Sequence, residues 1–314
     1  MKLMKLRLQR IGPLREARVE LGRGLTVFYG PNCSGKTTVA RALGLAIRLL
    51  TGGGATSAEA LALISRGAEA GRISLDSYEI ELARRPRGAV AVKIARADRA
   101  EVLYEREVSG AIATHLSEQP PVDVLLRVRL ADVLMVGRET RTLTLADLVT
   151  PEATALWGVE ERGAIRMDEY ARYIGEVNRI LWDVADHELV AADGKLYYRL
   201  NGMHFDEENT AAGIQRAALI AAAYVLAKKL KSQGASPLLF VESFETALHL
   251  DYVAALLDIL TDVPTVVETH SGLVLRAAIL KQLDYYIFAE GTVEKDLKKL
   301  ELFWKEMKIM SSLV

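Results

Sequence analysis

The 314 residues are half hydrophobic, which suffices for one large core or two modest ones. With 40 Lys and Arg against 41 Asp and Glu, the formal net charge is −1, which excludes a generally basic nucleic-acid coat. The single cysteine, Cys33, excludes an internal disulfide, and with no signal peptide visible a reducing cytoplasm is the expected setting.

The chain opens with alternation. Met4, Leu6 and Leu8 alternate with Lys5 and Arg7, and Gly12-Pro13 turns the chain into Arg15–Leu21, so a β-hairpin is predicted. Leu25–Tyr29 is a short β-branched and aromatic run that reads as a buried strand. Gly30 to Thr38 follow as a Gly-containing loop. After it, Val39, Leu43, Ala46, Ile47 and Leu50 recur at helical spacing until Gly52-Gly53-Gly54 ends the run. Thr51–Gly71 reads as loop with a short helix over Ser57–Ser65. Tyr78, Ile80 and Leu82, then Val90, Val92 and Ile94, flank the turn Arg85-Pro86-Arg87-Gly88 and predict a hairpin with a basic tip. Glu101–Val108 fits a strand or a helix.

Val124–Leu126 and Val133–Val136 predict two further strands, followed by a charged loop over Gly137–Arg141. Thr150-Pro151 opens a helical middle, where Tyr170, Ile174, Val177, Ile180 and Leu181 form an apolar stripe. Asp193-Gly194 is a hairpin turn between Glu188–Ala191 and Leu196–Leu200. The last third alternates: helix Ala212–Lys231 with Gly234 as its cap, strand Leu238–Val241, helix Asp251–Leu260, strand Thr265–Glu268, helix Gly272–Leu283, strand Tyr285–Ala289 and a charged helix from Val293 to Met310. Such alternation predicts an α/β fold: a mostly parallel sheet flanked by helices, with an N-terminal antiparallel β subdomain and a helical and hairpin insertion. One domain is expected, with an N-terminal lobe over 1–110, the insertion over 111–210 and a final lobe over 211–314. The most apolar helix, around Ala217–Ala227, is too short and Ala-rich to span a bilayer, so no membrane insertion is expected.

Gly30-Pro31-Asn32-Cys33-Ser34-Gly35-Lys36-Thr37-Thr38 fits G-x-x-x-x-G-K-[ST] at every required position, between a predicted strand and a predicted helix. The two glycines let successive N–H groups turn toward one anion, joined by those of Asn32, Cys33 and Ser34. Lys36 brings a point charge to the β- and γ-phosphates, and the Thr37 hydroxyl is a hard oxygen of the kind Mg²⁺ takes. Nucleotide binding follows, with ATP and Mg²⁺ as the expected cofactors.

A P-loop needs an acid at the end of a neighbouring strand. Glu242 follows Leu238–Val241 directly and is the expected metal-side carboxylate, with Thr37 as the other ligand. Glu245 lies three residues on, where it is equally a solvated charge at a helix start. His270 follows the strand Thr265–Glu268 and would reach the γ-phosphate or hold water, because strand C-termini gather along the ligand edge of a parallel sheet. Glu242, Glu245 and His270 are the candidate catalytic residues.

With these motifs in place the chain resembles the ABC-type ATPase superfamily in its non-transporter branch: the heads of structural-maintenance-of-chromosomes proteins and the AAA-labelled ATPases related to OLD nucleases. Asn32 is the usual residue at its place in that loop. Glu242-Ser243-Phe244-Glu245-Thr246-Ala247-Leu248-His249 is similar to Glu-Glu-Pro-Glu-x-x-Leu-His, and Thr269-His270-Ser271 looks like the switch histidine. Ala211-Ala212-Gly213-Ile214-Gln215-Arg216 stands where the signature Ser-x-Gly-x-Gln-Arg belongs. The resemblance implies two heads that sandwich two ATP molecules, each site completed by Gly213 of the other copy. Closure on ATP and opening on hydrolysis would then drive or gate an effector protein.

Two departures bear on turnover. Ser243 stands where the family's catalytic glutamate belongs, and a serine is no carboxylate base. Ala211 replaces the signature serine. No glutamine matches the loop that joins the lobes in transporter relatives. The sequence therefore leaves open a slow ATPase, a nucleotide-gated scaffold with negligible hydrolysis and, more remotely, the ATPase subunit of a transporter. Arg84, Arg85 and Arg87 at the hairpin tip, with Lys93, Arg96 and Arg99 nearby, could meet a DNA backbone or simply be solvated charge. No aromatic residues interleave with them, and no long heptads build coiled-coil arms.

Overall fold

A computed structural model describes residues 4–150, 167–192 and 195–295. In chain order the elements are β1 (Met4–Ile11), β2 (Leu14–Leu21), β3 (Leu25–Tyr29), α1 (Lys36–Leu50), β4 (Gly54–Thr56), α2 (Ser57–Leu63), β5 (Ala70–Leu75), β6 (Tyr78–Arg84), β7 (Val90–Arg96), β8 (Glu101–Val108) and β9 (Ala111–Ala113). There follow β10 (Val124–Val128), β11 (Val133–Val136), β12 (Thr140–Leu143), α3 (Leu145–Val149), α4 (Met167–Ala185), β13 (Glu188–Ala192), β14 (Lys195–Leu200) and β15 (Met203–Phe205). The last third holds α5 (Ala212–Ser232), β16 (Pro237–Val241), α6 (Leu250–Ile259), β17 (Thr265–Thr269), α7 (Gly272–Leu280), β18 (Asp284–Ala289) and β19 (Thr292–Glu294).

Two sheets follow from two hydrophobic patterns. Strands β1, β6 and β7 bury every second residue, as in Tyr78, Ile80 and Leu82, and join an antiparallel sheet in the order β2-β1-β5-β6-β7-β8. Strands β3, β16 and β17 are buried at all five positions, because helices cover both faces of their sheet. That sheet runs β12-β11-β10-β16-β17-β3-β18-β19. Its five central strands are parallel, and antiparallel β11, β12 and β19 close its edges. Each fully buried Leu, Ile, Val or Phe adds roughly 1.5–3 kcal/mol.

Between the two sheets α1 buries Val39, Leu43, Ala46, Ile47 and Leu50. On the other face α5 is buried from Arg216 to Ala227, so the Ala-rich stretch is a core helix. No helix of the described residues is long and apolar enough to cross a membrane.

Several expectations change. Glu101–Val108 is a strand, fixed by pairing with β7. Thr140 and Arg141, expected in a loop, begin β12, because Met135 and Val136 pair with them. Helix α3 was not foreseen; Thr144 and Asp147 form the reciprocal cap that lets five residues hold a turn. Val293 and Glu294, expected in a terminal helix, pair with Phe288 and Ile287 as a strand. Lys295 follows that strand outside any helix, and residues 296–310 of the expected helix, Pro151 and the Asp193-Gly194 turn lie outside the described residues.

Candidate functional site

Parallel register sets the site. Val241 pairs with Val267, and Val267 with Val27, so β16, β17 and β3 all end at one edge of the sheet. The chain leaves β3 through Gly30. A Cβ there would lie 2.4 Å from the Phe288 carbonyl oxygen, so a side chain is excluded. Gly35, at φ +107°, supplies the left-handed turn that starts α1 at Lys36. The cleft over this loop has a volume of about 490 Å³ and is lined in part by Asn32, Lys36, Thr38, Ser243, Glu268 and His270. Cys33, at φ +62°, is exposed on its rim as a free thiol.

Lys36 is 3% exposed. Its Nζ donates to the carbonyls of Gly30 and Pro31, both at 2.8 Å, and lies 3.2 Å from His270 Nδ1 and 3.5 Å from Ser34 Oγ. Among the described residues no carboxylate pairs with it. Burial pulls its pKa down, against the pull of Glu268 and Glu245 in the other direction. A buried ammonium whose partners are all neutral fits a phosphate group.

Thr37 shows what sequence reasoning missed. Its hydroxyl lies 3.0 and 2.9 Å from the two carboxylate oxygens of Glu268. Glu268 is 4% exposed, and burial pushes its carboxyl above the ordinary range. No cation among the described side chains forms an ion pair with it. The signal was available: Glu268 stands at the C-terminal end of a strand that runs to the ligand edge of a parallel sheet.

Glu242, expected beside Thr37, has its carboxylate held by Arg127, with Nε donating at 2.8 Å and Nη2 also bonded. Both side chains are largely buried. Arg216, in α5, donates Nη2 to the Glu242 carbonyl at 2.6 Å and Nη1 to that of Arg129. Burial lowers the Arg216 pKa to about 10, with Glu242 and Glu245 opposing. Glu242 is thus tied to a guanidinium that the sequence did not single out.

After Glu242 the chain turns sharply. Ser243 takes φ +45° and lines the cleft over the Gly30–Thr38 loop, while Phe244 is fully buried and its N–H donates to the Glu268 carbonyl at 2.7 Å. Glu245 then points back: its Oε1 accepts from the His270 N–H at 2.9 Å, and its Oε2 is buried with no hydrogen-bond partner among the described residues. His270 Nδ1 lies 2.9 Å from the Gly30 carbonyl. Nδ1 donates to that carbonyl when it carries the ring proton and accepts from Lys36 Nζ when it does not, so one nitrogen serves one of the two contacts at a time. The fold therefore gathers the P-loop, Ser243, Glu268 and His270, with Glu245 beneath them and Glu242 turned to Arg127.

Gly213 is not part of this cleft. It packs under the loop after β16, where a Cβ would lie 2.6 Å from the Ala247 carbonyl oxygen. Ala211 caps α5 with no side-chain hydrogen bond. At the basic tip, Arg84 donates to the carbonyls of Ala68, Leu61 and Ile64, so its guanidinium closes the end of α2. Arg85 lies 3.6 Å from Glu107, and Arg87 is exposed.

Residues 5–109 match the family model described as an AAA domain. No curated protein matches the chain. A solved SMC head bound to the C-terminal winged-helix domain of ScpA is 12% identical, covers 95% of this chain and 99% of its own, and superposes with a TM-score of 0.55. An SMC head with an extended coiled coil, bound to the C-terminal domain of ScpA derived from Pyrococcus furiosus, is 11% identical over 99% of each chain, at 0.52. The chain thus carries an AAA-domain match in its first third and has the fold of the SMC heads.

Proposed function

We propose that this chain binds ATP with Mg²⁺, hydrolyses it slowly, and uses the cycle to close on a second copy and gate an effector protein in DNA maintenance or defence. The observation that carries the reading is Lys36, a buried cation satisfied, among the described residues, by neutral groups at the mouth of a P-loop. Main-chain amides of the loop and the start of α1 would hold the phosphates. Lys36 would leave two carbonyls for phosphate oxygens. Thr37 would offer its hydroxyl to the metal, which when bound offsets the charge developing on the phosphates.

Ser243 occupies the cleft where the resemblance puts a carboxylate base, so slow turnover is expected. Glu245 is the substitute: its free oxygen is buried, and its other oxygen orients the His270 backbone. Glu245→Gln with unchanged turnover would remove it from the mechanism. Gly213 and the loop it supports would face the second copy. The SMC heads of similar fold bind ScpA, which favours a protein effector. DNA contact through Arg85 and Arg87 remains a weaker proposal, because Arg84 is committed to backbone carbonyls.

Ser243 also favours a second reading, a nucleotide-gated scaffold with negligible hydrolysis. Phosphate release measured beside molecular mass, with and without ATP and Mg²⁺, tests both against Lys36→Ala. Binding and a doubled mass without phosphate release select the scaffold. No nucleotide uptake by the native chain would end both.

A further inference from the structure

The two acids near the P-loop differ in what they already hold. Glu242 ends the strand that the motif points to, but Arg127 occupies its carboxylate in a largely buried ion pair. A cation reaching Glu242 would have to displace that guanidinium or share its partner, and stripping one partner from a buried pair is costly. Glu268 is the reverse case. It is more buried, no described cation pairs with it, and both its oxygens face one hydroxyl.

That hydroxyl belongs to Thr37, the residue a P-loop offers to its metal. A hydroxyl that gives a lone pair to a cation must send its proton elsewhere, and the Glu268 carboxylate stands 2.9 Å away to receive it as a hydrogen bond. A ligand so supported is oriented and made more basic by its partner. No three His, Cys, Asp or Glu of the described residues cluster into a metal cage. Mg²⁺ suits such a place, because it binds through one or two protein groups together with phosphates and water.

We infer that Glu268, on β17, is the metal-supporting carboxylate of this site, and that Glu242 has become a structural anion that locks β16 to β10 through Arg127. The duty has moved one strand closer to the P-loop strand, from β16 to its neighbour β17. Register permits this, since Glu268 pairs with Phe28 and lies one residue back from Thr269, which pairs with Tyr29. Glu268 acts on the ion through Thr37 or a bound water and is a positioning residue.

This inference rests on the proposed nucleotide site, and the experiment separates the two. Mn²⁺ is titrated into the protein saturated with a non-hydrolysable ATP analogue and followed by electron paramagnetic resonance. Nucleotide affinity is measured in parallel in EDTA. Glu268→Gln keeps the shape and one acceptor for Thr37, so a purely structural bond survives. It should weaken Mn²⁺ binding by about 10- to 100-fold and leave metal-free nucleotide affinity within about threefold. Glu242→Gln should leave Mn²⁺ affinity within about threefold. A tenfold loss in Glu242→Gln overturns the inference even if Glu268→Gln fails to fold, as does native Mn²⁺ affinity in Glu268→Gln. Either result leaves nucleotide binding standing. Absence of analogue uptake by the native chain, with or without metal, would instead remove the site and the inference together.

Discussion

The ends of β16 and β17 are neighbours in one sheet and carry the same kind of side chain. At β16, Glu242 meets Arg127 from β10 and Arg216 holds the backbone behind it. At β17, the Glu268 carboxylate meets only Thr37 among the described side chains, and His270 reaches the Gly30 carbonyl and approaches Lys36. One strand end is a finished electrostatic unit; the other keeps a buried anion 3 Å from a P-loop hydroxyl. The lesson is that an acid's availability is set by what else is within reach, and sequence position after a strand does not report it.

The largest effect that would break this comparison is at the P-loop itself. Lys36→Ala removes the buried cation, and nucleotide affinity should fall by about 100-fold or more, read by calorimetry. Retained affinity would mean that the loop amides suffice. Next, Ser243→Glu restores a carboxylate at a position lining the cleft. Phosphate release should rise by on the order of 100-fold if a missing base limits turnover. An unchanged rate would shift the burden to Glu245.

A smaller effect sharpens the β16 side. Arg127→Met strands Glu242 in a largely buried place, and stability should drop by about 2–4 kcal/mol in urea unfolding. Adding Glu242→Gln should recover most of that loss, because the stranded charge is the cost. If the double variant is no better than the single, Arg127 acts by packing alone. The smallest effect belongs to the exposed tip. Arg85→Ala removes an ion pair that is half in solvent, so stability should change by less than about 1 kcal/mol. If DNA binds there, its affinity should fall and its salt dependence should flatten by about one phosphate contact.

Much of this was legible in the chain. Alternation at Tyr78–Leu82 gave an antiparallel strand, and the unbroken apolar run Leu238–Val241 gave a doubly covered one, because burial on one or two faces writes period two or no period at all. The P-loop was legible because its chemistry is local: a turn, a charge and a hydroxyl within nine residues. Helix α3 was missed because five residues hold too little periodicity, and β12 because its pairing with β11 outweighs its charged composition.

What the sequence determined by itself was the phosphate loop, the strands and helices around it, and the set of acids available at the strand ends. Only the tertiary structure decided how those acids are used. Arg127 lies 115 positions from Glu242, and Thr37 lies 231 from Glu268. No local pattern encodes such pairings; they arise when parallel strands bring distant residues to one edge, where a buried charge either finds an opposite one or is left to wait for a ligand.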